Sequence, residues 1–271
     1  MYRDSKMTTR SYRYLQLILL LRNSLLLDTD EYALTDTPAG LQCDFMSMQL
    51  GSRFQDVYLS NGALFGQQAK LHAGLAGDEI AVADAFNRVI RAQKIVQFDR
   101  LVRTLHLINH ARHYPEQGVL CLRVHPYFVA QVHDHGRTFE KILREHQLPT
   151  QQILIEMQTS PENSPLQLAK AVQNYRQLGY HTAIRVSSDA LPNLQPYLDM
   201  QPGILKLDED LVRTTRANPA QREQLRHQLS ACHAAGVSIW MTGIDSASDR
   251  ALAHALNAAY FQGDYFDGSC P

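Results

Sequence analysis

Seven polar side chains fall late in short apolar runs, and they are the first candidates for chemistry in this chain. They are Arg123 and His125 in VLCLRVHP, Glu156 in QILIEMQ, Arg185 in TAIRVS, Lys206 in GILKLD, Thr242 in VSIWMTG and Gln262 in AYFQG. Glu156 and Lys206, with His72 upstream, can act as acids or bases. The guanidinium groups of Arg123 and Arg185 match phosphate or carboxylate oxygens. Arg185 makes the sharpest demand. Thr182, Ala183, Ile184 and Val186 around it read as a buried strand, arginine cannot shed its charge, and an unpaired guanidinium is costly to bury. The pattern predicts that Arg185 pairs with Glu156 on the preceding strand, helped by Arg123. A register one residue off would instead turn it toward the helices and out to solvent.

Other constellations are weaker. His106, His110 and His113 share one helical face, and HxxxH can bind zinc. No acidic residue accompanies them and Arg112 adds positive charge, so they read as surface histidines. His133-Asp134-His135 reads as a solvated loop or helix start. There is no GxSxG, and Cys121 and Cys232 lie in apolar contexts that favour inert buried thiols.

The elements that must position the seven residues are legible from about residue 118 onward. Short apolar runs alternate with capped helical stretches, the signature of βα units around a parallel sheet. Ser164-Pro165 starts a helix that Gly179 ends, and Asn218-Pro219 with Gly236 repeats the punctuation. Ser246 with Asp249 starts a last helix, expected through Ala259. Upstream, FQDVYLSNGALFG reads as two strands joined by Asn61-Gly62. Asp78 opens an expected helix through Gln93, and Phe98 to Arg112 another. In a βα barrel the C-terminal strand ends converge on one mouth, which would gather the late polar residues.

These stretches resemble the EAL domain, a family whose members hydrolyse the bacterial second messenger cyclic di-GMP. FQDVYLSNGALFGQQAKLH is similar to its opening, and ILIEMQTS, ILKLDEDLV, GVSIWMTGID and FQGDYF resemble its later motifs in order. The likeness spans roughly residues 50 to 267. It implies an α/β fold, a TIM-like (β/α)8 barrel whose first strand runs antiparallel to the rest, as a domain over residues 51–271. Residues 1–50 are expected to form an N-terminal helical extension.

The resemblance also implies a catalytic set of two divalent cations on carboxylates and an asparagine, with a lysine and a glutamate supporting the attacking water. Carried over, the signature glutamate falls on Gln68, the asparagine on Arg123, and the paired aspartates on Arg185 and Val186. The late glutamate falls on Thr242, and a nucleotide-contacting arginine on His72. Glu156, Lys206 and Gln262 are kept. One carboxylate then faces three cations, where the family has five carboxylates against one lysine. A divalent ion about 5 Å from one added positive charge meets roughly 7 kcal/mol of repulsion at an effective dielectric near 20. No catalytic residue, metal or cofactor is therefore expected.

The expected function is that of a catalytically inactive, EAL-like regulator in bacterial signalling that binds a protein partner. A metal-independent cyclic di-GMP receptor is the alternative, with Gln55, His72, Arg123, Arg185 and Lys206 as ligand-binding candidates. An active phosphodiesterase, or different chemistry in the remodelled mouth, stands behind both. Composition narrows the partners. The 26 basic and 27 acidic residues give a net charge of -1, so no global field recruits nucleic acid or an anionic membrane. Cys43, Cys121, Cys232 and Cys270 form no CxxC pair, which suits free thiols and a cytoplasmic location. The apolar run Leu17 to Leu21 stops at Arg22 and Asn23, short of a membrane span, and no small-residue cleavage site follows. Leucines on several faces of Leu15 to Leu27 suit a helix that packs on the domain or on a second copy as a homodimer.

Overall fold

The computed structural model describes residues 32–114, 118–145, 148–187 and 193–266. The expected helix over Leu15 to Leu27 lies outside them, as does Cys270. The strands are β1 (Tyr32–Thr37), β2 (Gly40–Phe45), β3 (Met48–Leu59), β4 (Leu64–Leu75), β5 (Asp78–Glu79), β6 (Val119–Arg123), β7 (Ile153–Gln158), β8 (His181–Val186), β9 (Ile204–Leu207), β10 (Ser238–Met241) and β11 (Tyr260–Phe261). The described residues form two compact units, one within Met1–Phe54, Ala69–Gln117 and Arg137–Pro149, the other within Gln55–Gln68, Gly118–Gly136 and Thr150–Pro271.

The second unit is a closed eight-stranded barrel. Its strand order is β3-β11-β10-β9-β8-β7-β6-β4, and β3 pairs with β4 to close the ring. Strands β4 and β6 to β11 run parallel, while β3 is antiparallel to β11. The antiparallel first strand follows from its tight turn. Gly62, at φ +86°, donates to Leu59 O at 2.9 Å, and Leu59 N donates to Ala63 O at 2.8 Å. Left-handed φ at Gly62 has no steric penalty because glycine lacks a Cβ. Another glycine sets strand spacing two residues before Gln68: a Cβ on Gly66 would stand 1.9 Å from Val119 O.

The barrel fills from within. Val57, Cys121, Leu154, Ala183, Ile204 and Trp240, one from each of six strands, meet in a single buried cluster. Side chains alternate along a strand, so residues two positions farther on point the same way. Helices Pro165–Gln177, Pro219–Ala234 and Ala247–Ala255 start where the capping residues predict. Ser164 makes a full capping box with Gln167, Asn218 accepts from Ala220 N and Gln221 N, and Ser246 accepts from Asp249 N. The last helix ends four residues before the expected Ala259.

The first unit corrects two expectations. Residues 32–50 are strands, not helix: β1 pairs with β2 and β2 with β3, all antiparallel. Leu41, Cys43 and Phe45 are buried while Asp44 between them is exposed, a strand alternation. Asp78 and Glu79 pair with Leu75 and Gly74 as β5, and the helix starts only at Val82. Helix Ile95–His113 is buried along most of its length. Its Asn109 side chain mimics a peptide group toward β2, accepting from Leu41 N at 2.7 Å and donating to Leu41 O at 2.9 Å. No helix among the described residues is long and apolar enough to cross a membrane.

Candidate functional site

Two residues beyond the buried cluster, at the C-terminal strand ends, stand Arg123, Glu156, Arg185, Lys206 and Thr242. Register brings neighbours level: Arg123 is opposite Glu156, and Arg185 is opposite Lys206. Gln68 at the end of the barrel segment of β4, Gln262 just after β11 and Gln55 on β3 complete the mouth. All lie in the barrel unit.

Glu156 is the centre, buried to 1 % exposure. One carboxylate oxygen accepts from Lys206 Nζ at 2.8 Å and from Gln68 Nε2 at 2.5 Å, and the other accepts from Arg123 Nε at 3.0 Å. Gln68 Oε1 accepts from Lys206 Nζ at 3.0 Å and from Gln262 Nε2 at 2.9 Å, while Gln262 Nε2 also reaches Gln55 Oε1 at 3.1 Å. Lys206 Nζ stands 3.9 Å from the centre of the Trp240 ring, a cation–π contact. The ammonium therefore meets a carboxylate, an amide oxygen and an aromatic face.

Burial by itself would raise the Glu156 carboxyl, but the Lys206 ammonium and then the Arg123 guanidinium overcome it and hold the group at about 2. Lys206 is moved downward as well, chiefly by burial, with Glu156 opposing. Both partners thus shift in the same direction. The bonded geometry keeps the pair ionised at neutral pH: each charge has its counter-charge within hydrogen-bond reach.

Arg185 points inward as expected, on the same strand face as Ala183, but its partner is different. Its Nε donates to Asp208 Oδ1 at 2.7 Å, and Nη2 reaches the same oxygen. Glu156 already accepts from Lys206, Gln68 and Arg123, while Asp208 lies two residues past Lys206 on the neighbouring strand's path. The charge balance changes accordingly. Three cations face two carboxylates, one fewer net positive charge than the sequence count gave. Asp208 and Trp240 are the site residues that sequence reasoning missed, and period-2 alternation from Lys206 and to Thr242 was the signal for them.

The remaining candidates scatter. Thr242 Oγ1 donates to Leu207 O at 2.9 Å, so its hydroxyl ties β9 to β10. Val186 is fully buried on the strand face opposite Arg185. His72 lies in the first unit, where its Nδ1 is 3.3 Å from Glu79 Oε1, and Arg53 bridges the same carboxylate. His106 and His110 are not surface residues. They are buried in the first unit, His106 with Nδ1 2.7 Å from Ser52 Oγ and His110 against the rings of Phe54 and Tyr114. His133 and Asp134 are exposed, but His135 is buried against Phe128 and Tyr175. Cys43, Cys121 and Cys232 are free and buried, and burial raises their thiols, Cys43 to about 12 and Cys232 to about 11.

The donor set does not fit the metal pair that the family resemblance implies. Hard divalent cations want several oxygens with open lone pairs. Of the mapped positions only Glu156 carries a carboxylate, and its oxygens are taken by Lys206, Gln68 and Arg123. Among the described residues no three Asp, Glu, His or Cys side chains cluster to hold a metal ion.

By sequence, no curated protein matches the chain significantly. Solved structures of similar fold include a standalone versatile EAL protein from Vibrio cholerae O395 in a c-di-GMP-bound form, with a TM-score of 0.68, 20 % identity, 80 % of this chain and 90 % of that one covered. An EAL domain protein from Listeria monocytogenes EGD-e gives 0.68 at 15 % identity, covering 80 % and 87 %. The FimX EAL domain from Pseudomonas aeruginosa, bound to c-di-GMP, gives 0.66 at 18 % identity, covering 93 % and 95 %. The EAL domain family model matches residues 41–268, starting ten residues before the expected boundary at 51. The chain belongs to the EAL domain family.

Proposed function

We propose that this EAL domain does not hydrolyse cyclic di-GMP and acts as a cytoplasmic regulatory module that binds a protein partner in bacterial signalling. One observation carries the reading: both oxygens of Glu156 are bonded to Lys206, Gln68 and Arg123. Oε2 is filled by Lys206 and Gln68, and freeing it breaks a buried ion pair at a loss of about 3–5 kcal/mol. Oε1, bonded to Arg123 alone, could offer a divalent ion only a single oxygen beside a guanidinium. Fold alone does not assign function, so the protein-binding half rests on what remains to a barrel once its metal ligands are gone.

A cyclic di-GMP receptor that needs no metal is the second reading. It is favoured by Arg123, whose side chain is 51 % exposed and spends only Nε on Glu156. The c-di-GMP-bound state of related structures adds support. Incubation of purified protein with cyclic di-GMP and Mg2+ or Mn2+, followed by chromatography, is expected to leave the dinucleotide intact. Metal-dependent linearisation that is lost in Glu156→Gln would overturn the inactive reading. Calorimetry separates the two binding readings: micromolar heat without metal that weakens in Arg123→Ala selects the receptor, and absence of heat selects the protein-binding module.

A further inference from the structure

The misfit between the donor set and a metal pair has a specific location, the amide of Gln68. Its Nε2 donates to Glu156 Oε2 at 2.5 Å, and its Oε1 accepts from Lys206 and Gln262. Gln68 is 3 % exposed, so water does not supply alternatives. If the nitrogen were an oxygen, two carboxylate oxygens would face one another at this distance with no proton between them. Such a pair demands a bridging cation or proton. Lys206 cannot serve both contacts fully, because its ammonium is already shared among Glu156, the other Gln68 atom and the Trp240 ring.

We propose that the Gln68 amide holds the place of a bridging cation between the β4 and β7 side chains, and that this one N–H keeps divalent ions out of the mouth. The inference rests on the metal-free reading of the mouth given above. It adds that exclusion is set locally by an amide at Gln68, rather than by the arginines alone. Arg123 binds the other oxygen of Glu156 and is half exposed, so it can swing to solvent. Gln68 has no such freedom.

The test reads thermal stability, not turnover. Wild-type protein and Gln68→Glu are melted in EDTA and in millimolar Mn2+ alone. The wild type is expected to melt at the same temperature in both. Gln68→Glu is expected to melt lower in EDTA and to regain on the order of 5 °C in Mn2+, since a ligand that binds only the folded state raises its melting temperature. The exchanged double variant Gln68→Glu/Glu156→Gln restores one amide facing one carboxylate. It is expected to fold and to ignore Mn2+, and it covers the case in which the single variant fails to fold. A wild type that Mn2+ stabilises overturns the proposal. So does a folded single variant indifferent to Mn2+, or a double variant that responds as strongly as the single one. Failure here leaves the turnover result untouched, and metal-dependent turnover by the wild type would strike the functional reading directly.

Discussion

Glu156→Gln is the sharpest probe of the barrel mouth. The substitution keeps shape and leaves an amide oxygen for Lys206, but removes the counter-charge from an ammonium that is 3 % exposed. Removing one partner of a buried pair typically destabilises by about 3–5 kcal/mol. The retained acceptor and the easy return of Arg123 to water place this case at the lower end, about 3 kcal/mol. For a chain of this size that corresponds to a fall in melting temperature of roughly 10 °C. The pH dependence has a definite sign. Without Glu156, burial drives the Lys206 pKa farther below its ordinary 10.5. The unfolded chain then binds a proton that the folded one lacks, so the variant gains stability as pH rises from neutrality toward 10.5, at up to about 1.4 kcal/mol per pH unit. The chain carries its own reporter. Trp240 is its only tryptophan, fully buried, with Lys206 Nζ 3.9 Å from the ring centre. Urea unfolding followed by its fluorescence, at several pH values, measures both effects. A variant within about 1 kcal/mol of wild type, with a parallel pH profile, would refute the claim that Glu156 neutralises a buried charge.

Two further outcomes follow from the first unit. Asn109→Ala removes the side-chain bonds to Leu41 N, Leu41 O and Ser52 Oγ. Unsatisfied buried groups lose about 1–3 kcal/mol each, so faster amide exchange at Leu41 is expected in hydrogen-exchange mass spectrometry, together with a lower melting temperature. Burial lowers His106 from 6.5 to about 3 and His110 from 6.5 to about 4. The unfolded chain therefore takes up protons that the folded one refuses. Stability is complete above pH 6.5 and falls as the solution is acidified toward those values, by about 2 kcal/mol per histidine at pH 5. Replacing both with asparagine should flatten the denaturation curve between pH 7 and pH 5.

The barrel was legible because its signals were local and repeated. Ser164-Pro165, Asn218-Pro219 and Asn61-Gly62 each dictate a backbone event through their own side chains, and the structure realises all three. The inward direction of Arg185 was also readable, since alternation from Ala183 fixes it. Its partner was not. Two carboxylates were in range, and choosing between them required knowing that Lys206, Gln68 and Arg123 already occupy Glu156. The strands before residue 50 were missed for another reason. The leucine run invites a helical reading, and the alternation of Leu41, Cys43 and Phe45 with Gln42 and Asp44 begins only after the turn at Pro38-Ala39. His106 and His110 were misplaced because polar residues on a helix suggest water, whereas Ser52 and aromatic rings receive these two.

The bonds of the mouth join residues far apart along the chain: Gln68 to Lys206 across 138 positions, Gln68 to Gln262 across 194 and Gln55 to Gln262 across 207. During synthesis, the ring of side chains cannot close until β11 has left the ribosome, because Gln262, the partner of Gln55 and Gln68, directly follows that strand. Contacts of such separation form late, after the loop-closure entropy has been met. The amide and ion-pair cluster is then a lock set after assembly, and weakening it should hasten unfolding while leaving the folding rate almost unchanged.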